Sequence, residues 1–398
     1  MKGQSIFRST IYITIIVIIG SLMRSCTSQS SNTEDNFISI NINMEGLEFS
    51  GIVYLERMNT TRTIVIDSVL AGNISSINFN INPKQANDIY ILRFSHMQAI
   101  TLILTENDTV NITIKEHPIN TNYTISGSFD SEIMFNINSV INNHTEKYDE
   151  IYGEYRDAAG DENIERIRAT TDSLLRLNQL SIYTELKQII QSNPTSLSSL
   201  IGLYSKFGSH RILDLELDYT LFKLVSDSLS AKYPNNIHSI ALQKTIKNFK
   251  SKKELIENTE LLLDKGNVFP DLSLISLDNT IYNIKDNQSK IKLIYIWKAK
   301  YKKFWETNPI LISLYNSYSR EDFDVIAISF EKDKLAWSNY CSMGRFKWVN
   351  LLASPDDEAT INPYGIYPRI YILDSDFKII AKDPDINELE SIINASKR

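Results

Sequence analysis

Cysteine is the scarcest chemically reactive residue in this chain, with two copies, Cys26 and Cys341, among 398 residues. Two thiols are too few for a disulfide scaffold or for a zinc module with several cysteine ligands. Glycine (13) and proline (10) are each at about half their usual share, which argues against disorder throughout the chain. The net charge of −7 argues against a chain built to coat nucleic acid, so we expect no nucleic-acid partner.

Sequence motifs for several common chemistries are also missing. No pair of histidines stands at the spacing of metal ligands, and the five are scattered through the chain: His96, His117, His144, His210 and His238. The sequence holds no Gly-rich phosphate loop, nucleophile elbow or dinucleotide fingerprint. We therefore expect no metal and no cofactor, and we assign no catalytic residue.

The longest apolar run lies near the N-terminus and is short. Lys2 and Arg8 precede residues 11–23, a run about as long as the apolar region of a secretion signal and shorter than the ~20 residues that a spanning helix needs. This pattern predicts an export signal, with an uncleaved membrane anchor as the alternative. Both interpretations place the rest of the chain outside the cytoplasmic membrane.

The residues after this run resemble the cleavage box of a bacterial lipoprotein. Ser25 is the small residue before Cys26, and the resemblance implies that Cys26 becomes the lipidated first residue; Arg24 departs from the usual small residue. We expect residues 1–25 to be a lipoprotein signal peptide and the polar residues 26–36 to be a flexible tether. The expected location is the bacterial cell envelope, lipid-anchored and facing the periplasm from the outer membrane, with surface exposure as the alternative.

Hydrophobic patterning divides the remaining chain into three parts. Residues 37–130 alternate apolar and polar side chains in short runs separated by turn residues, which predicts an all-β sandwich. Residues 131–265 carry apolar residues at spacings of three and four, which predicts an α-helical connector. Residues 266–398 alternate strand and helix patterns, which predicts an α/β sheet covered by helices. The predicted fold is therefore multi-domain.

Four stretches of the last part resemble a thioredoxin-like domain of the TlpA/ResA thiol-disulfide interchange type. Phe269–Leu272 is similar to the opening of that domain, and Ile291–Trp297 is similar to its buried strand that ends in tryptophan. Pro309 stands where the active-site helix has its kink proline, and Tyr367-Pro368 resembles the loop whose cis-proline faces the active site. The resemblance covers about a third of the chain and implies a thioredoxin-like fold. The two preceding parts resemble the N-terminal region of many lipoproteins of this group.

The chemistry of that family needs two cysteines, two residues apart, at the N-terminus of a helix, where the helix dipole stabilises a thiolate. Alignment by Trp297 and Pro309 places Tyr301 and Phe304 at the two cysteine positions. The CxxC motif is therefore missing. Cys341 follows the predicted strand 323–330 on a helix that, in this fold, is not next to the active-site loop, and we expect it to be inert. A reactive Cys341 is the alternative.

Basic and aromatic residues occupy the segment where the family has its catalytic loop. The binding candidates are Lys298, Lys300, Tyr301, Lys302, Lys303, Phe304 and Trp305, together with Tyr367 and Pro368. Lysines in the first turn of a helix oppose its dipole, and a bound anion would relieve that repulsion. We expect the segment to bind an anionic or aromatic group, with the proline loop offering backbone groups to an extended peptide. The alternative is a decayed active site with solvated lysines and core aromatics.

These observations favour a membrane-anchored envelope lipoprotein whose redox-inactive thioredoxin-like domain acts as a binding or scaffolding module and not as an enzyme. The expected partners are an envelope protein or peptide and, through the lipid, the membrane. One alternative is a thiol-disulfide oxidoreductase or thiol peroxidase that uses Cys341 or the thiols of a partner. Another is a purely structural envelope protein.

Overall fold

The computed structural model describes residues 37–44, 46–47, 49–72 and 75–396. The predicted signal peptide, the lipidation candidate Cys26 and the tether up to residue 36 lie outside the described residues. The described chain forms two compact units, which meet in sequence between Gln243 and Lys244. None of the helices in the described part has both the length and the apolar character that crossing a bilayer requires.

The first unit begins with eight described strands in two four-stranded sheets. The strands are β1 (Ile38–Met44), β2 (Ser50–Met58), β3 (Thr63–Gly72), β4 (Ser76–Ile81), β5 (Asp88–Arg93), β6 (Ala99–Leu104), β7 (Thr109–Ile114) and β8 (Tyr123–Ser126). One sheet has the order β4-β1-β7-β8 and the other β3-β2-β5-β6. Only the β1–β7 pair among these is parallel.

Both sheets supply side chains to one hydrophobic cluster. The alternation in β1 turns Ile38, Ile40, Ile42 and Met44 inward, and the other strands add a similar set from their inner faces. A strand that buries every second residue against a core is stabilised by that apolar area, at about 25 cal/mol for each Å² removed from water. The alternation that predicted strands in residues 37–130 is therefore the pattern by which these sheets bury their apolar side chains.

Five helices follow the two sheets along the described chain. They are α1 (Phe129–Asp157), α2 (Ile164–Ser192), α3 (Leu197–Leu203), α4 (Tyr219–Lys232) and α5 (Ile237–Leu262), with a short hairpin of β9 (Lys206–Phe207) and β10 (His210–Arg211) after α3. The Ser128 hydroxyl accepts the Ser131 N–H and caps α1. A buried polar contact joins α1 and α2, where His144 Nδ1 lies 2.6 Å from Asn178 Oδ1. Helix α5 continues beyond Lys250, where the apolar spacing predicted its end, and its last part belongs to the second unit.

The second unit is built around a seven-stranded mixed sheet. Its elements are β11 (Ser273–Ser276), β12 (Ile281–Asn283), β13 (Ile291–Trp297), α6 (Lys302–Ser317), β14 (Phe323–Ser329), α7 (Lys334–Met343), β15 (Val349–Leu352), α8 (Pro355–Ile361), β16 (Arg369–Leu373), β17 (Ile379–Lys382) and α9 (Leu389–Ser396). The strand order is β12-β11-β15-β14-β13-β16-β17. Strands β15, β14 and β13 run parallel, and β16 and β17 follow antiparallel.

All seven residues of β13 are buried, which places this strand at the centre of the unit. Its odd positions, including Tyr295 and Trp297, contribute to one hydrophobic cluster, and its even positions Ile294 and Ile296 contribute to another. A strand buried on both faces shows no alternation of apolar and polar residues. Lys292 is the polar exception in β13, and its buried ammonium donates to the Ser289 carbonyl at 2.6 Å. The C-terminal end of β13 leads directly into the predicted binding segment.

A buried ion-pair network joins the end of α5 to this sheet within the second unit. Arg369, 1% exposed, directs Nη1 to Glu260 at 2.9 Å, and its Nη2 also bonds this carboxylate. Arg369 Nε lies 3.3 Å from Asp383, and Lys382 lies 2.8 Å from Glu260. Burial opposes ionisation of Glu260, but the bonds from Arg369 and Lys382 outweigh it and lower its pKa. This network holds the strand that follows Pro368.

Candidate functional site

The predicted binding segment is the connection from β13 into α6. Tyr301 is the N-cap residue of α6 and makes no side-chain capping bond, so the helix begins at Lys302. Pro309 lies inside the helix, where a proline is expected from the sequence. A first turn whose N–H groups have no side-chain acceptor is the part of a helix that attracts negative charge.

Phe304 lies in the core and not on the surface. Its side chain is fully buried, and its ring stacks on Trp297 with centroids 4.4 Å apart. The Tyr295 hydroxyl donates to the Phe304 carbonyl at 3.3 Å. The expectation that Phe304 forms part of a binding surface is therefore wrong. The cause is the helical period, because Phe304 shares the inner face of α6 with Thr307 and Leu311.

Tyr301 is half-buried and covers the proline loop. Its ring stacks on Tyr367, with centroids 5.3 Å apart and planes 17° apart. The Lys298 ammonium lies 4.4 Å from the centroid of the same Tyr367 ring and 2.9 Å from a carboxylate oxygen of Glu358. The Tyr367 hydroxyl donates to Glu358, and burial together with this carboxylate raises the Tyr367 pKa. Lys298, Tyr301, Tyr367 and Glu358 thus form one connected group, here named the aromatic cap.

Glu358 of the aromatic cap is a site residue that the sequence did not identify. It lies on α8, a helix absent from the sequence-based prediction, and contacts Lys298 across 60 positions of chain. A signal for α8 was present, because Ser354 and Asp357 form a capping box around Pro355. That signal predicts the helix, but nothing in the sequence indicates which lysine its glutamate meets.

Main-chain contacts fix the loop between Trp297 and Tyr301. The Ala299 N–H donates to Glu331 at 2.6 Å, and the Ala299 carbonyl accepts the Trp305 indole N–H at 2.9 Å. Trp305 nonetheless remains 40% exposed. With both polar groups of Ala299 bonded, the loop presents a fixed surface.

The remaining lysines of the segment point to solvent. Lys300 is exposed and lies 5.0 Å from the Tyr301 ring centroid. Lys302 forms an exposed ion pair with Glu306 at 2.9 Å, one helical turn away. An exposed pair of this type contributes little because solvent screens it, so it competes weakly with a ligand. Lys303 is exposed and lies at the mouth of a groove.

That groove, here named the proline groove, is about 540 Å³ in volume. It is lined by Lys303 and Thr307 of α6, by Ile366, Pro368 and Ile370, and by residues 383–387. The Tyr367–Pro368 peptide bond is cis, which agrees with the resemblance to the cis-proline loop. The Asn362 side chain bonds both backbone groups of Ile366, at 2.9 and 3.0 Å, and so holds the loop in place.

Cys341 is the one cysteine within the described residues, and it is buried. Burial raises the pKa of its thiol to about 12. The helix that carries it is nearer to the predicted segment than the sequence indicated, because the ring of the adjacent Tyr340 lies 6.2 Å from that of Trp305. The expectation that α7 is remote from this loop is wrong. The sulfur itself packs in the core beside the sheet.

No set of three or more histidine, cysteine, aspartate or glutamate side chains suited to a metal ion occurs in the described part of the chain. The site therefore consists of the aromatic cap and the adjoining proline groove. Of the nine sequence candidates, Lys298, Tyr301 and Tyr367 belong to the cap, and Lys303 and Pro368 line the groove. Such a site can bind groups by stacking, by charge and by apolar contact.

Comparisons with known proteins bear on the C-terminal third alone. No protein-family model matches the chain, and no curated protein matches it. Among solved structures, the thioredoxin domain of a thiol-disulfide oxidoreductase from Bacteroides vulgatus is 25% identical, with 33% of this chain and 99% of that chain covered and a TM-score of 0.31.

Two further solved structures give similar values. The C-terminal domain of a thiol-disulfide oxidoreductase from Bacteroides thetaiotaomicron is 21% identical, covering 34% of this chain and 97% of that one, with a TM-score of 0.32. A thiol:disulfide interchange protein from Chlorobium tepidum is 16% identical, covering 34% and 99%, with a TM-score of 0.32.

The second unit of this chain is thioredoxin-like in its own topology. Three parallel strands continue into the antiparallel β16 and β17, a helix with an internal proline follows the central strand, and a cis-proline precedes β16. The chain is thus a multi-domain protein with a thioredoxin-like C-terminal part, preceded by several β-sheets and helices.

Proposed function

We propose that this chain is a non-catalytic binding protein of the bacterial cell envelope, in which the thioredoxin-like unit holds a polypeptide partner at the proline groove. The observation that carries the proposal is that aromatic residues occupy both positions that align with the reactive cysteines of the thioredoxin-like family. Phe304 is part of the core, and Tyr301 is stacked on Tyr367. A loop that in redox relatives must present a thiolate is here filled by the aromatic cap.

The state of Cys341 supports a non-catalytic role. Exchange with a disulfide requires a thiolate that can reach the substrate. Cys341 is 2% exposed, and burial raises its pKa to about 12, both of which oppose that reaction. Thiol-disulfide chemistry, which the names of the similar solved structures state for those proteins, is therefore not proposed for this chain.

The proline groove favours a polypeptide partner with an apolar side chain beside an acidic one. Ile366 is 44% exposed at the groove, next to the buried Pro368, and offers an apolar contact. Lys303 at the mouth offers a positive charge. Two carboxylates also line the groove: Asp383 lies 3.3 Å from Arg369 Nε, so its negative charge is offset, and Asp385 accepts the Asn387 N–H at 2.9 Å.

The proposal also includes the parts that precede this unit. The two four-stranded sheets would form a β-sandwich, and the helices after them would connect it to the thioredoxin-like unit. Cys26 would carry the lipid that anchors the chain, with residues 26–36 as the tether, on the periplasmic side of the outer membrane. Radiolabelled palmitate incorporation that disappears in Cys26→Ala tests the anchor.

Site-specific photo-crosslinking tests the binding role. A photoreactive phenylalanine analogue would replace Ile366 in the groove, and a matched chain would carry it at Leu255, which is 66% exposed on α5. In intact cells, we expect discrete adducts with envelope polypeptides from position 366 and none of the same size from position 255. The further substitution Lys303→Glu should lower the yield of adducts from position 366, because it reverses the charge at the mouth of the groove.

Identical adducts from both positions, or adducts from position 366 that Lys303→Glu leaves unchanged, would contradict the proposal. The control substitution is Lys332→Glu, because Lys332 is also an exposed lysine of this unit and does not line the groove.

A further inference from the structure

A second cleft lies in the first unit and shares no lining residue with the proline groove. It is bounded by α1, α2 and the β9–β10 hairpin and has a volume of about 900 Å³. Sites for small molecules are typically clefts of roughly 300–1,000 Å³ with apolar walls and a few convergent polar groups. The size of the cleft therefore fits one compact ligand.

The wall of the cleft is largely apolar and aromatic. Tyr148 of α1 meets Phe207 of the hairpin edge to face, with ring centroids 5.7 Å apart. Ile182 is buried in the wall, and Leu180 is 60% exposed there. The Tyr183 hydroxyl donates to Asp218 at 2.6 Å, so the polar end of this side chain is already bonded. An apolar body is the chemical match for such a wall.

Two guanidinium groups also line the cleft. Arg176 of α2 and Arg211 of β10 are both exposed, and within the described residues neither forms an ion pair with a carboxylate. The Arg211 guanidinium lies 5.4 Å from the Tyr204 ring centroid, which orients it. Asp149 of α1 is the carboxylate in the lining. With His210 counted as neutral, the two arginines against one aspartate give the cleft a net positive charge.

We propose that this cleft binds a small anion with an apolar body, a carboxylate or sulfonate attached to an aromatic or aliphatic group. The arginines receive the acidic group, because guanidinium bonds carboxylates and sulfonates with a fork of donors. The tyrosine, phenylalanine and leucine side chains receive the body. This inference is independent of the proline groove, which belongs to the other unit.

Two fluorescent probes with nearly the same aromatic body test the proposal. Anilinonaphthalene sulfonate carries an acidic group, and N-phenylnaphthylamine lacks it. Both would be titrated against the chain from residue 27 onward, which contains every described element. We expect saturable binding at one site, with the sulfonate bound more tightly than the neutral probe.

Substitutions then assign the site. Each exposed guanidinium is worth up to about fivefold in affinity, so Arg176→Gln with Arg211→Gln should weaken sulfonate binding by roughly tenfold and leave the neutral probe unchanged. Asp149→Asn should tighten sulfonate binding by about twofold, because it removes a repulsive charge. Leu180→Glu should abolish binding of both probes. Arg168→Gln, an exposed arginine of the same helix outside the cleft, should change neither.

Three results would overturn the proposal: no saturable sulfonate binding, the same sulfonate affinity after loss of both arginines, or unchanged binding of both probes in Leu180→Glu. Because the substituted residues are exposed, we expect their far-ultraviolet circular dichroism and melting curves to match those of the parent chain. A failure of this proposal leaves the crosslinking result at the proline groove unaffected.

Discussion

Phe304→Ala distinguishes a core position from a surface position in the segment that leads from β13 into α6. The ring is fully buried, stacks on Trp297 at 4.4 Å, and has Trp305 at 4.8 Å and Phe346 at 6.0 Å. Truncation would leave a cavity among these rings. Because the surrounding sheet is rigid, we expect the cavity to collapse only in part.

The expected cost follows from the burial and the ring contacts. A fully buried phenylalanine replaced by alanine typically costs about 3–5 kcal/mol, which includes the lost apolar transfer and the cavity. Stacked and edge-to-face aromatic contacts add about 0.5–1.5 kcal/mol for each pair. We therefore expect the second unit to lose about 4 kcal/mol of unfolding free energy, at the upper end for a single substitution.

Tryptophan fluorescence during urea unfolding measures this loss of unfolding free energy in the second unit. All four tryptophans of the chain lie in the second unit, at positions 297, 305, 337 and 348. The signal therefore reports on that unit without interference from the first. The midpoint should fall with little change in slope, because the same surface is exposed on unfolding.

Tyr301→Ala is the matched control, at the N-cap of the same helix. Tyr301 is half-buried and has a stacking contact with Tyr367, so its removal should cost about 1 kcal/mol. A cost below about 1 kcal/mol for Phe304→Ala, or equal costs for the two variants, would refute the assignment of Phe304 to the core.

Four further predictions follow from buried and half-buried groups. Replacing Arg369 by leucine should lower the free energy of unfolding of the second unit by about 2–3 kcal/mol in the same urea assay, because Glu260 loses two charge-assisted hydrogen bonds and keeps Lys382 as its remaining partner. The pKa of Glu260 is lower in the folded chain than its ordinary value of 4.5. This difference stabilises the folded state above pH 4.5, and the stabilisation is lost as the pH falls through the folded-state pKa. Glu260→Gln should therefore flatten the acid limb of a curve of unfolding free energy against pH. With a pKa of about 12, about one in ten thousand Cys341 thiols is ionised at pH 8, so Ellman's reagent should label the native chain far more slowly than the urea-unfolded chain. His144→Ala should lower the free energy of unfolding of the helices by about 2 kcal/mol, measured as loss of helical signal on heating, because Asn178 loses its buried hydrogen-bond partner at 2.6 Å.

Much of the thioredoxin-like unit could be predicted from local pattern. The run Ile291–Trp297, apolar except for Lys292, predicted a buried strand, and Lys334–Met343 was predicted with the bounds that α7 has. Both elements are specified by side chains close together in sequence. The end of α5 could not be found this way, because Lys253 and its neighbours are mostly exposed and show no clear apolar period. That stretch is anchored instead by Glu260 in the ion-pair network.

The candidate site was predictable in part. The cis-proline and the absence of cysteine at positions 301 and 304 could be predicted from the sequence, because both depend on which residue occupies a position. The sequence also contained a signal that the Phe304 side chain faces the core, since Phe304, Thr307 and Leu311 follow the helical period. The contact of Lys298 with Glu358 was not, because it depends on how the helix after β15 meets the loop after β13.

A thiol-disulfide exchange assay tests the non-catalytic role most directly. The chain from residue 27 onward would be mixed with insulin and dithiothreitol, and precipitation of the reduced insulin chains would be followed, with Cys341→Ala as the matched variant. We predict a rate equal to that of dithiothreitol alone for both proteins. A rate above that background which disappears in Cys341→Ala would contradict the proposed role.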